Sequence, residues 1–464
     1  MSKGFRIRRI LSAAVLLLIG TVAFRSHAEE LPQERIYQAR DRVFPALVHV
    51  QPISEVFERG KKTKQTAVGS GVIISDDGYV VTNYHVAGNA VKAICTLASR
   101  DRIPATLVGG DAPTDLAVLK LDLSEYKGKI HVAELGDSSK LQTGQFVLAM
   151  GSPLSLSRSL SEGIISCPDR YLGSEMTLED GEKTGGFNTW IQTTAAINFG
   201  NSGGPLVDLE GEVVGINTRT VVGADGLGFS IPSNVVRDIT TQIIKNGAVS
   251  RSWIGVDLQP LQDLDMLLKG DSKKGALVSN VEPSSPADRA GIVAGDVITK
   301  INGTPVDARF DEEIPPIRRL ISEIPVDSTI EVDYLRSGTP ASVSLVTRRR
   351  GKTRGKEKEF ADWGLSAQSL TLPKLLELNR TKRDGVLISG VSGVTTKERT
   401  DLVKDDIVVE VQGERIANID DFDKVYKKYK KTKPNRLVFK TERNNVVHFA
   451  VLYPKYDEPD PGSQ

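Results

Sequence analysis

Between residues 43 and 248 the chain is a succession of short apolar runs broken by Gly, Asn and Asp, with no alternating helical segments. Ala46-Leu-Val-His-Val, Gly71-Val-Ile-Ile-Ser, Tyr79-Val-Val-Thr, Leu116-Ala-Val-Leu-Lys-Leu and Phe146-Val-Leu-Ala-Met are examples. Short strands at regular spacing, without crossover helices, point to antiparallel barrels or sandwiches and away from a parallel sheet. Asp76-Asp77-Gly78 between two such runs is a hairpin signal, because glycine accepts the positive φ a tight turn demands. Helical periodicity is confined mainly to 234–246, where Val235, Val236, Ile239 and Ile243 form one apolar stripe.

Length and charge set the outer bounds. At roughly 150 residues per domain, 464 residues predict about three domains. Lys and Arg number 60 against 59 Asp and Glu, a net charge of +1, so no global basic surplus points to nucleic acid. Two Cys are too few for a disulfide scaffold or a structural zinc site, and no metal or cofactor is implied. Cys95 and Cys167 either pair, which an exported chain permits, or remain two free thiols.

The N-terminus reads as a targeting segment. Lys3, Arg6, Arg8 and Arg9 precede a mostly apolar run over 10–24, and small residues flank a cleavage position after Ala28. The run is shorter than the ~20 residues of a spanning helix, which favours a cleaved signal over a retained anchor. Cleavage removes five basic and no acidic residues, leaving 55 Lys and Arg against 59 Asp and Glu, a net charge of −4.

Candidate chemistry lies in three places. In Gly200-Asn201-Ser202-Gly203-Gly204-Pro205, turn-forming residues surround one hydroxyl. Such a turn can expose a nucleophile and aim backbone N–H groups at a developing oxyanion, or it can be an ordinary Gly-rich hairpin. A serine nucleophile needs a base, and the base an orienting carboxylate. His85 ends an apolar strand, and Asp115 stands just before another. The order His85, Asp115, Ser202 is that of chymotrypsin-type proteases. His27 leaves with the signal, His49 sits inside a strand, His131 follows a Lys-Gly-Lys loop, and His448 is far from the serine motif. Asp111 competes with Asp115 but precedes Pro113 and reads as a turn residue.

Thr82-Asn-Tyr-His-Val86, Thr114-Asp-Leu-Ala117 and Ala196-Ile-Asn-Phe-Gly-Asn-Ser-Gly-Gly-Pro205 resemble the catalytic blocks of the HtrA/Deg serine proteases. Gly228-Phe-Ser-Ile-Pro-Ser-Asn234 is similar to the family segment after the substrate-pocket loop. The resemblance implies a mainly β chain: a chymotrypsin-like double β-barrel protease domain followed by two α+β PDZ domains. It implies His85, Asp115 and Ser202 as the triad, an oxyanion hole from the N–H groups of Gly200 and Ser202 with Asn201, and an S1 pocket shaped by Ile197, Asn217, Thr218 and Leu227. An apolar Ile197 with no acidic neighbour favours a small or medium aliphatic P1 side chain. Thr194 stands where the family usually has Asp, and 169–188 would be the regulatory loop.

The C-terminal half resembles two PDZ modules. Trp253-Ile254-Gly255-Val256 would be the carboxylate-binding loop of the first, ahead of Ser285-Pro-Ala-Asp-Arg-Ala-Gly-Ile-Val-Ala-Gly-Asp-Val-Ile298. The second begins near Trp363-Gly364-Leu365 and is degenerate at the usual Ala-Gly-Leu and Gly-Asp elements. The expected organisation is signal peptide 1–28, protease 29–248, first PDZ 252–347, basic linker 348–358, second PDZ-like unit 359–454 and tail 455–464. The linker carries seven basic residues and one acidic, as a solvated spacer or as a contact with an anionic membrane face.

Three functions fit these features. One is an exported, periplasmic, ATP-independent endopeptidase that degrades unfolded polypeptides, with PDZ modules reading peptide C-termini. The others are a chaperone with dormant proteolysis and a catalytically inert PDZ adaptor. The resemblance implies a homo-oligomer, a trimer or its multiples.

Overall fold

The computed structural model describes residues 32–456 apart from 153–157, 173–175, 179–181, 221–225, 263, 265–273, 350, 352–354, 379, 381 and 393–399. The apolar leader lies outside the described residues. Among the described residues no helix is long and apolar enough to cross a membrane.

Two closed six-stranded antiparallel barrels follow the helix Pro32–Val43. In the first, Leu47–Glu58 pairs on one side with Gly69–Ile73 and on the other with Ala90–Thr96, and the circuit runs on through Tyr79–Asn83, Leu116–Leu121 and Arg102–Asp111. The second comprises Phe146–Gly151, Ser159–Arg170, Trp190–Thr193, Gly228–Pro232, Val213–Thr220 and Pro205–Val207. Closure removes the unpaired edges that an open sheet would expose. The hairpin signal at Asp76-Asp77-Gly78 joins Gly69–Ile73 to Tyr79–Asn83, with Gly78 at φ +89°.

The helix Ser233–Asn246 buries Val236, Ile239 and Ile243 of the stripe its sequence predicts, leaves Val235 half-buried, and stops at Gly247 with φ +74°. Its apolar face joins one core that includes Val118 and Leu119 of the first barrel and Met150, Val207 and Ile216 of the second. The two barrels are thus fixed against each other, and the cleft between them has rigid walls.

Each C-terminal unit has its own core, centred on Ile298 and Val332 in one and on Phe422 and Phe439 in the other. Both run through two strands, two further strands, a helix and a terminal strand pair. The helices are Ile314–Glu323 and Ile419–Thr432, the latter burying Phe422 and Val425. The basic stretch is shorter as a spacer than its composition implies. Arg348–Arg349 pair with Ser252–Trp253, and Glu357–Phe360 form a strand on Leu365–Ser369.

Candidate active site

Strand register brings the distant sequence blocks together. Tyr79–Asn83 pairs antiparallel with Leu116–Leu121, with Asn83 opposite Leu116. Residues just past the end of one strand therefore meet the residue just before the other. Asp115 occupies that place as the cap of the turn Ala112–Thr114, at φ +60° and 1% exposed. Its carbonyl accepts from the Tyr84 N–H (3.0 Å) and the Asn83 side chain (3.1 Å). Its carboxylate receives the His85 N–H (3.0 Å) and His85 Nδ1 (2.9 Å). Asp111 is a turn residue, as its sequence context predicts: it accepts from the Thr114 N–H and pairs with Arg251.

Thr218 completes the carboxylate's shell, its hydroxyl donating to Asp115 at 2.5 Å. Burial alone would raise the Asp115 pKa. The His85 ring and its N–H groups, with the Thr218 hydroxyl, outweigh burial and hold the carboxyl below its usual range. The neighbouring Arg219 lays its guanidinium over the Trp190 ring at 4.4 Å.

The serine loop is held by both barrels. The Ser70 hydroxyl donates to the Gly200 carbonyl (2.6 Å), and the Ser70 N–H to the Ser202 carbonyl (2.8 Å). Gly200 lies at φ +98°. Gly203 lies at φ +84°, and a Cβ there would stand 2.1 Å from the Ser70 carbonyl oxygen. Neither side-chain strain nor that collision is tolerable, which explains the glycines flanking the hydroxyl. The Ser202 hydroxyl donates to the Thr218 carbonyl at 3.1 Å.

Three further residues expected at the site, Asn201, Asn217 and Thr218, are each held by polar partners. The Asn201 N–H is spent on the Asn198 carbonyl (3.0 Å), and its 3%-exposed side chain accepts from the Ser159 hydroxyl through Oδ1 (3.3 Å). Asn217 is buried, and its amide bonds the carbonyls of Met150 and Pro205, so it supports the barrel wall without lining an S1 pocket. Thr218 likewise faces Asp115. Ile197 is buried in the second barrel's core, where a Cβ on Gly228 would stand 3.0 Å from its Cδ1, and Leu227 directly precedes that glycine. Thr194 is exposed, with its hydroxyl accepting from the Ile164 N–H.

The other histidines stay apart from this group. His49 is buried with Nδ1 at the Ser152 carbonyl (2.7 Å), while His131 and His448 are exposed. Cys95 and Cys167 are both free thiols.

In the first C-terminal unit, Gly255 sits at φ +84°, and a Cβ there would collide with Ser285. Ile254 is buried, its carbonyl accepting from the Ala287 N–H (2.9 Å), so its contribution to a ligand would be through backbone. Trp253 pairs with Arg348, and Val256 opens the strand Val256–Gln259. The described part of 169–188 reaches both neighbours. The Gly185 N–H donates to the Pro113 carbonyl and the Asn188 amide to Thr114, while Arg318 and Arg319 donate to the carbonyls of Gly186 and Phe187.

Residues 69–216 match the family model of a trypsin-like peptidase domain, and 252–347 that of a PDZ domain. A probable serine protease do-like from Buchnera aphidicola subsp. Acyrthosiphon pisum is 34% identical over 409 residues, 87% of this chain and 79% of that protein. Periplasmic serine endoprotease DegP of Escherichia coli K12 is 32% identical over 398 residues, 85% of this chain and 78% of that one. The solved structure of the HtrA-type protease AlgW with tripeptide aligns at TM-score 0.57 and 31% identity, over 68% of this chain and 97% of that one. Double barrel and PDZ unit together define a trypsin-like serine protease, a hydrolase of peptide bonds. Within that class the chain belongs to the HtrA/Deg family of serine endopeptidases.

Proposed function

We propose that the chain is an exported, periplasmic, ATP-independent endopeptidase that degrades unfolded polypeptides, with Ser202, His85 and Asp115 as its triad. The convergence of His85 and Thr218 on the buried Asp115 carboxylate carries this reading. Ser202 attacks the scissile carbonyl. His85 accepts its proton and returns it to the leaving amine. Asp115 fixes the tautomer and stabilises the imidazolium. The N–H groups of Gly200 and Ser202 bind the oxyanion. Ile197 and Leu227 bound S1 and favour small or medium aliphatic P1 residues.

The first PDZ module, 252–347, binds substrate C-termini on the backbone of Gly255 and Val256, along the edge of Val256–Gln259. The protease unit spans 29–248, behind a signal cleaved near Ala28. A trimer built by protease domains is part of the same reading. So is contact of the 348–358 stretch with an anionic membrane face. Sedimentation and co-flotation with anionic vesicles test these two. The Ser202 hydroxyl bound to Thr218 supports a resting state that peptide binding at the first PDZ module switches on.

Hydrolysis of casein by wild type and Ser202→Ala tests the reading. Complete loss in the variant is expected. Equal hydrolysis by both would sink the Ser202 assignment.

A further inference from the structure

The two C-terminal modules differ at one sheet edge. In the first, Val256–Gln259 leaves the Gly255 loop and pairs on one side with Ala276–Val281. Among the described residues no strand lies on its other side. That is the open edge to which an extended peptide can add. In the second, the corresponding strand Leu365–Ser369 pairs with Val386–Val391 on one side and Glu357–Phe360 on the other. The latter pairing is antiparallel, from Glu357 opposite Gln368 to Phe360 opposite Leu365.

The same segment fills the space between Leu365–Ser369 and the helix Ile419–Thr432. Phe360 is fully buried, its ring edge-on to Phe422 at 4.7 Å and to Tyr426 at 5.2 Å. The Lys358 ammonium reaches Asp423 at 3.2 Å. Strand alternation puts Lys358 and Phe360 on the helix side and Glu359 on the other. There Glu359 accepts the N–H of Lys62, on the hairpin that projects from the first barrel, at 3.0 Å. The hairpin tip lies against the loop that follows Phe360: a Cβ on Gly60 would stand 2.8 Å from the Gly364 carbonyl oxygen.

These are the components a ligand supplies in β-addition: a ladder of main-chain bonds, a terminal apolar side chain in a pocket and a polar pair two residues back. We propose that the second module carries its own ligand. Residues 357–360 occupy its peptide groove in cis, Phe360 stands where a ligand's terminal side chain would sit, and the protease hairpin covers the adjoining loop. A ligand joined to its site by the four residues 361–364 has an effective concentration on the order of millimolar or more. A free peptide of micromolar affinity cannot displace it. The module is then a docking block for the protease barrel, and incoming peptides are left to the first module. Only this last clause rests on the function proposed above.

The test uses the full chain with Ser202→Ala to prevent cleavage and Gly255→Glu to close the first module's loop. The probe is the hexapeptide Gly-Lys-Glu-Lys-Glu-Phe, the sequence of 355–360, carrying an N-terminal fluorophore and a free carboxylate. It should not bind this chain. Adding Phe360→Ala should create binding roughly tenfold or more above that baseline, lost on amidating the probe. Carboxylate-dependent binding while the native segment is present would overturn the proposal.

Because Phe360→Ala removes a core ring, hydrogen exchange of the wild-type chain provides an independent decision. The amides of 357–360 should exchange about 100-fold or more slower than in the free hexapeptide. Exchange at the free-peptide rate would refute an occupied groove whatever the binding result. Slow exchange with no binding to either chain supports it.

Discussion

Asp115 joins burial to chemistry at the residue scale. Its folded-state pKa lies below the unfolded-chain value of about 3.9, so the ionised carboxylate stabilises the fold above that pH. That contribution is lost as pH falls through the folded-state value. Acid titration should therefore destabilise wild type more steeply below about pH 4 than Asp115→Asn, measured by urea midpoints at each pH. Asp115→Asn should also cost about 10⁴-fold in kcat, because it disrupts the tautomer control of His85. Thr218→Val removes a hydrogen bond to a charged, buried group, typically about 1.5–3 kcal/mol. If all of that is expressed in the transition state, kcat falls roughly 10- to 150-fold, and Thr218→Ser should restore most of it. The two thiols separate equally clearly. Burial pushes Cys95 up to about 12, whereas Cys167 is half-buried and donates to Asp169 at 3.3 Å. A thiol reagent should titrate Cys167 alone in the native chain and both in denaturant. The order of His85, Asp115 and Ser202 was legible in the sequence, and the structure joins the first two through His85 Nδ1. The direction of the Thr218 hydroxyl and the commitment of the Asn201 N–H were not legible, because hydrogen bonds across the cleft fix them and no local spacing encodes them.

At the scale of elements, Gly69–Ile73 supports the serine loop as well as the first barrel. Ser70 gives its hydroxyl to the Gly200 carbonyl and its N–H to the Ser202 carbonyl, and it accepts from the Ser152 N–H. Ser70→Ala strands two buried polar groups at about 1–3 kcal/mol each. Stability should fall by that order in denaturant titrations, and kcat should fall more than KM rises, because the loop loses its preorganisation. Retained kcat in a destabilised variant would mean the strand only supports the barrel. The strands, the Asp-Asp-Gly hairpin and the helix Ser233–Asn246 were legible because their apolar periods match their burial. Two elements were not. Lys61–Thr66 is exposed throughout and carries no apolar alternation; its place comes from the ladder to Leu47–Glu58. Glu357–Phe360 was hidden inside a basic run, since a Lys-Glu-Lys-Glu sequence has the composition of a solvated spacer and becomes a strand through the edge it fills.

Across the whole molecule, the family was readable from a few blocks of sequence, while the connections between units depend on contacts that no single block encodes. The most consequential runs from the helix Ile314–Glu323 to the catalytic turn. Arg318 and Arg319 donate to the carbonyls of Gly186 and Phe187, and the same loop donates from Gly185 and Asn188 to Pro113 and Thr114. Thr114 directly precedes Asp115. A ligand that shifts the helix thereby shifts the backbone that aims the triad carboxylate. Coupling between sites is commonly about 1–3 kcal/mol, a rate change of roughly 5- to 150-fold. Activation of chromogenic peptide hydrolysis by a peptide bound at the first PDZ module should lie in that range. Arg318→Ala with Arg319→Ala should reduce it to about twofold or less while leaving the peptide's affinity nearly unchanged, since the two guanidinium groups donate to the carbonyls of Gly186 and Phe187. Full activation in the double variant would show that the two arginines do not carry the signal, and lost affinity together with lost activation would place them in the peptide site.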